Sequence, residues 1–145
     1  MNDPVVLVIT RDFAAPPERV FDAWLDPVRA RRFLFATPDG EMIACDIDAR
    51  VGGTALIIER RAGGDARHRL RFEAIERPRR LVFLFSADPA DEGEWTRVTI
   101  EIVAAPRGCT LTLTHEMDPR WADYEARTRK GWASILAGLA DVVES

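Results

Sequence analysis

The sequence predicts an α+β fold: a curved antiparallel sheet of about seven strands against a long C-terminal helix, with two short helices after the first strand. Three observations predict it. Apolar residues recur with period two through most of the middle of the chain, as half-buried strands require. Val20, Phe21, Trp24 and Leu25 fall at i, i+1, i+4 and i+5, one face of a helix. The segment from Pro119 to about Glu144 returns to helical spacing and gathers its apolar residues into one stripe.

The elements follow in order. Val5 to Phe13 is rich in β-branched residues and reads as a strand. Ala15-Pro16-Pro17-Glu18 starts a helix: proline is tolerated in the first turn, and an acid there meets the positive end of the helix dipole. Asp26-Pro27 stops it, and a second helix runs from Pro27 to about Phe33. From Glu41 the period is two, with Ile43, Cys45, Ile47 and Ala49 alternating with Ala44, Asp46 and Asp48. Gly52-Gly53 permits a tight turn or bulge before the strand Thr54 to Arg60. A hairpin turn at 62–65 leads to His68–Glu76, which sets Leu70, Phe72 and Ala74 on one face and Arg69, Arg71 and Glu73 on the other. Leu81 to Phe85 is apolar on both faces, as in a strand buried on both sides. After a polar loop, Trp95 to Ala104 and Thr110 to Glu116 place Val98, Ile100, Ile102, Leu111, Leu113 and His115 inward.

In the final helix Trp121, Tyr124, Thr128, Trp132, Ile135, Leu139, Val142 and Val143 share the stripe, opposite Asp123, Arg127, Lys130, Ser134 and Asp141. Gly131 and Gly138 sit on its edge, where each glycine costs about 1 kcal/mol against alanine. A close approach of the helix to the sheet would explain them. A sheet of seven strands needs a cover, and this helix is the element long enough to supply it.

Composition narrows the function. The 145 residues suit one domain over 1–145 and can bury about 70% of the surface of the unfolded chain. The net charge of −4 argues against nucleic acid, which calls for a basic footprint. Two short basic clusters, at 29–32 and 77–80, read as solvated surface. Asp88, Asp91, Glu92 and Glu94 fit no calcium-loop spacing and read as a solvated acidic loop. Cys45 and Cys109 belong to no CxxC pair, so zinc and dithiol chemistry have no support and a reducing compartment is the simpler expectation. Val5 to Ile9 is too short for a membrane span or signal core, so a cytoplasmic location is expected. No GxSxG, HExxH, GxGxxG or phosphate-cradling loop is present, and neither a cofactor nor a metal is expected.

The order of elements and several local patterns resemble the START-like (SRPBCC) superfamily, and within it the family named after the activator of heat-shock-protein-90 ATPase. The resemblance runs from Thr10 to about Val143. It is carried by the stretch 10–16 before Val20-Phe21-Asp22-Ala23-Trp24, by Asp48-Ala49-Arg50-Val51-Gly52-Gly53, by Pro78-Arg79-Arg80-Leu81, by Thr96-Arg97-Val98-Thr99, by Gly108 to His115, and by Gly131-Trp132. Members often carry a Trp-Gly-Pro-like stretch after the second helix. Here that stretch reads Phe33-Leu34-Phe35-Ala36-Thr37-Pro38, so the resemblance does not define the pocket mouth.

The resemblance implies a helix-grip fold with an apolar pocket between sheet and final helix. The expected wall comprises Ile57, Glu59, Leu70, Phe72, Phe83 and Phe85 from the middle strands. Val98, Ile100, Leu113 and His115 from the last two strands join them, with Trp121, Tyr124, Thr128 and Trp132 from the helix. Trp24 and Trp132 are also natural core residues. The expected partner is a small apolar or lipid-like molecule, bound by a monomer or homodimer. One alternative is an interaction module acting on a chaperone, which requires an exposed apolar or charged patch. Another is a cyclase- or hydrolase-like enzyme with His115 and Glu59 as acid and base. It requires the two to share a hydrogen bond or a pocket water. Against these, His115 could be satisfied by a neighbouring backbone or carboxylate group, and Glu59 could pair with an arginine or reach solvent at a strand end.

Overall fold

A computed structural model describes residues 5–87, 95–117 and 119–144. The chain runs β1 (Val5–Phe13), α1 (Pro17–Leu25), α2 (Pro27–Ala30), β2 (Glu41–Ile47), β3 (Thr54–Arg61) and β4 (Gly64–Glu76). It continues with β5 (Arg80–Ala87), β6 (Thr96–Ala105), β7 (Gly108–Met117), a 3-10 turn (Pro119–Tyr124) and α3 (Glu125–Val143). The seven strands form one antiparallel sheet in the order β1-β7-β6-β5-β4-β3-β2. The curved sheet and long C-terminal helix make the expected helix-grip arrangement. The sequence places these elements within a few residues. The second helix is shorter than expected, because after Ala30 the chain turns through 31–35 instead of continuing. The final segment begins as a 3-10 turn before it becomes α-helical.

Asp26 marks the junction of the two short helices. Its backbone N–H donates to Asp22 O at the end of α1, and its carboxylate accepts from the N–H of Val28 at the start of α2 (3.0 Å). The Arg77 guanidinium grips Asp22 in a bidentate pair at 2.7 and 2.9 Å, tying α1 to the turn between β4 and β5.

Register fixes the core. Leu7, His115, Val98, Phe83 and Phe72 stand opposite one another across five strands, and Ile9, Leu113, Ile100, Leu81 and Ile75 form the next row. These rows meet Trp24, Phe21, Phe33, Leu136 and Leu139 in one continuous core. Two bulges alter the simple alternation. The shift between Met42 and Ala44 puts Met42 opposite Glu59 and leaves Ile43 exposed, so Ile43 does not share a face with Cys45 and Ile47. The shift between Phe72 and Ala74 turns Ala74 away and brings Ile75 against the core. At Gly138 α3 does run close to a neighbour, though not to the sheet: a Cβ there would sit 3.1 Å from Phe33 Cβ. A Cβ on Gly131 would meet nothing within 4 Å. Among the described residues, no helix is long and apolar enough to cross a membrane.

Candidate functional site

A cleft of about 660 Å³ opens at one end of the sheet, beside the first half of α3. Three parts of the chain build it. The sheet contributes the last inward positions of its strands: Arg61, His68, Phe85, Thr96, His115 and Met117. The loop before β2 contributes Phe35, Ala36 and Thr37. The helical segment contributes Tyr124, Arg127, Thr128, Gly131, Trp132, Ser134 and Ile135.

Aromatic rings form its inner wall. Phe35 stacks on His68 with centroids 4.1 Å apart and planes 2° from parallel, and on Phe85 at 5.2 Å. Trp132 and His115 meet nearly at right angles, 5.9 Å apart, each also close to Phe85. Offset-stacked and edge-to-face contacts suit the ring quadrupoles and hold the cluster in a defined shape. Phe35 reaches this position with φ of 58°, a left-handed conformation costly for a bulky residue.

The Phe35 loop is fastened from below by Glu59. This carboxylate is 1% exposed and accepts three hydrogen bonds: from Thr37 N–H (2.7 Å), the Thr37 hydroxyl (2.9 Å) and Arg61 Nε (2.7 Å). Arg61 Nη2 then donates to Phe35 O at 3.1 Å. Burial alone would push the Glu59 carboxyl up. The Thr37 N–H, the Arg61 guanidinium and the Thr37 hydroxyl outweigh it and hold the group below its usual value. Gly40 is part of the same device, since a Cβ there would collide with the Glu59 carboxylate and crowd the Thr37 hydroxyl.

His115 has a different role. Indole N–H can only donate, so the 3.0 Å bond from Trp132 Nε1 makes His115 Nδ1 an acceptor. The proton of the neutral ring is then on Nε2, which donates to Thr96 Oγ1 at 2.7 Å. The Thr96 hydroxyl in turn donates to Phe85 O at 3.4 Å. Burial pushes the imidazole down to about 4, so the ring is uncharged at neutral pH. Both of its nitrogens are satisfied by side chains, neither by the backbone or carboxylate group expected. Glu59 is likewise committed, to Thr37 and Arg61. Of the two arrangements the acid–base reading allows, a direct hydrogen bond between His115 and Glu59 or a shared pocket water, the direct bond is not made.

Of the residues expected to line the pocket, Phe85, His115, Tyr124, Thr128 and Trp132 border the cleft. Ile57, Leu70, Phe72, Phe83, Val98, Ile100 and Leu113 instead lie inside the continuous core, because the cleft occupies the end of the inward face and not its centre. Glu59 supports the wall without lining it. The side chain of Trp121 and the acidic loop of Asp88, Asp91, Glu92 and Glu94 lie outside the described residues. Trp24 is core, edge-on to Phe33 at 5.3 Å. Trp95 stands clear of the cleft, under the Arg71 guanidinium. Arg127 and Ser134, expected on the far side of the helix, border the cleft because it opens along the flank of α3 and not beneath its buried stripe. Four arginines of the two basic clusters are held in place: Arg29 by Asp26, Arg31 by Met42 O, Arg77 by Asp22 and Arg80 by Glu76.

The family model described as Activator of Hsp90 ATPase homolog 1-like protein matches residues 14–144. None of the curated proteins matches in sequence. Among solved structures, a Chromobacterium violaceum protein is 26% identical, with a TM-score of 0.83 over 98% of this chain and 99% of that one. The AHSA1-like protein of Aeromonas hydrophila is 24% identical, with a TM-score of 0.81 over 97% of this chain and 92% of that one. A Rhodobacter sphaeroides protein is 22% identical, with a TM-score of 0.83 over 96% and 92%. With a model match spanning nearly its whole length, the chain belongs to the family of Activator of Hsp90 ATPase homolog 1-like proteins.

Proposed function

We propose that the chain binds a small, largely apolar molecule in the cleft beside α3. The observation that supports this most is the cleft's wall: Phe35, Phe85, Trp132 and His115 present rings whose polar atoms are already satisfied by one another and by Thr96. A volume of about 660 Å³ lies within the range of small-molecule sites, about 300 to 1,000 Å³. His115, neutral and doubly hydrogen-bonded, acts as part of that wall and is not poised to exchange protons near pH 7.

Gly131 provides the test. Its missing side chain leaves open space on the cleft side of α3, so Gly131→Leu would fill the cleft without displacing a protein atom at Cβ. Native mass spectrometry of protein purified from cell extract, followed by solvent extraction, should find an apolar compound on the unaltered protein and none on the variant. Circular dichroism of the two should be the same. A compound carried equally by both would place binding elsewhere. If neither carries a compound, and neither binds added hydrophobic probes, the proposal is wrong.

A further inference from the structure

Among the described residues the charged groups of the cleft are one-sided: its lining holds two guanidiniums, Arg61 and Arg127, and no aspartate or glutamate. This is not the default of the composition, because acids outnumber Lys and Arg by 24 to 20 in the chain. The two arginines differ. Arg61 is neutralised by Glu59 and spends a second donor on Phe35 O. Arg127 lies with its guanidinium 5.5 Å over the Tyr124 ring and forms no ion pair among the described residues. Arg127 is exposed, whereas Phe35, Trp132 and His115 are buried. Charge is thus available at the rim and apolar surface further in.

Resting on the binding function above, we propose that the ligand is an apolar carboxylic acid, its carboxylate on Arg127 at the rim and its hydrocarbon body against Phe35, Phe85 and Trp132. A planar guanidinium matches a carboxylate with two parallel hydrogen bonds. Among the described residues one cation of the lining lacks an ion pair, which suits one negative charge. A doubly charged phosphate would need a second, and the charge of Arg61 is already balanced. Neutral imidazole at His115 adds neither attraction nor repulsion for the anion.

The test uses matched pairs of probes: octanoate against octan-1-ol for an aliphatic body, and 2-naphthoate against 2-naphthol for a flat one. Affinities come from amide chemical-shift titrations at pH 7. In at least one pair the acid should bind roughly tenfold tighter than its alcohol, the scale of a charge-assisted hydrogen bond. The pair with the larger preference identifies the shape of the body. Arg127→Gln should weaken the acid about fivefold or more and leave the alcohol unchanged, while Arg127→Lys retains most of the preference. The preference should shrink as salt is raised. Alcohols binding as tightly as their acids, or Arg127→Gln weakening both alike, would overturn the assignment of an anion while leaving apolar binding intact. If no probe binds, the binding function itself falls with it.

Discussion

Replacing His115 by glutamine isolates the energetic consequence of a buried neutral imidazole. The glutamine carbonyl can accept from Trp132 Nε1 and its amide N–H can donate to Thr96, but the side chain does not titrate. In the unaltered protein the folded imidazole has a pKa of about 4 against an ordinary 6.5. Between those values the unfolded chain takes up a proton that the folded chain refuses. Folding stability therefore carries its full share above pH 6.5, falls as pH drops, and levels off below about 4. At about 1.4 kcal/mol per pKa unit the whole effect is about 3 kcal/mol, of which about 2 kcal/mol has developed by pH 4.5. Urea unfolding of both proteins at pH 7 and pH 4.5, followed by tryptophan fluorescence, measures it. Carboxylates titrate in this interval too, Glu59 and Asp22 with folded values held low, but they are common to both proteins and cancel in the difference. The unaltered protein should lose about 2 kcal/mol more than His115→Gln. Equal losses would show that the ring is not held neutral, and the Trp132–His115–Thr96 arrangement would need another proton assignment.

Other consequences are open to measurement. Glu59→Gln removes the charge that Arg61 and the Thr37 N–H share and should destabilise the fold by about 3 kcal/mol in urea unfolding; a loss below 1 kcal/mol would mean the loop is held by something else. Gly40→Ala drives a methyl into the same carboxylate, so in a double-mutant cycle with Glu59→Gln the two losses should be clearly less than additive. Strict additivity would separate them. Gly131→Ala should raise stability by about 1 kcal/mol from helix propensity alone. Gly138→Ala should gain less, because its methyl presses on Phe33; equal gains would show that Phe33 yields freely.

Much of this was legible in the residues. Period two in the strands and the stripe in α3 gave the layers, since burial of one face leaves a direct mark on the pattern. The two bulges escaped because an inserted residue exchanges faces without altering composition: Ile43 and Ala74 kept their parity in the sequence and lost it in the sheet. For the site, parity identified which face points inward but not how far along each strand the helix stays in contact. His68, Thr96 and Met117 share parity with Leu70, Val98 and His115, so their inward direction was available; their place at the open end was not. Phe35 left no signal at all. It lies in an aperiodic turn, and its left-handed backbone is imposed by contacts distant in sequence, among them the bond from Arg61 to its carbonyl.

The separation between the packed rows and the cleft has a consequence for descent. Ile100, Leu113, Phe83 and Phe72 hold the sheet to the helices, while Ala36, Thr128, Gly131 and Ser134 border the opening. Substitutions in the second group can change what fits without disturbing the first. Under the proposed binding function, relatives that share the fold at about one residue in four can diverge in what their clefts admit while keeping one architecture, and their rims would differ more than their cores.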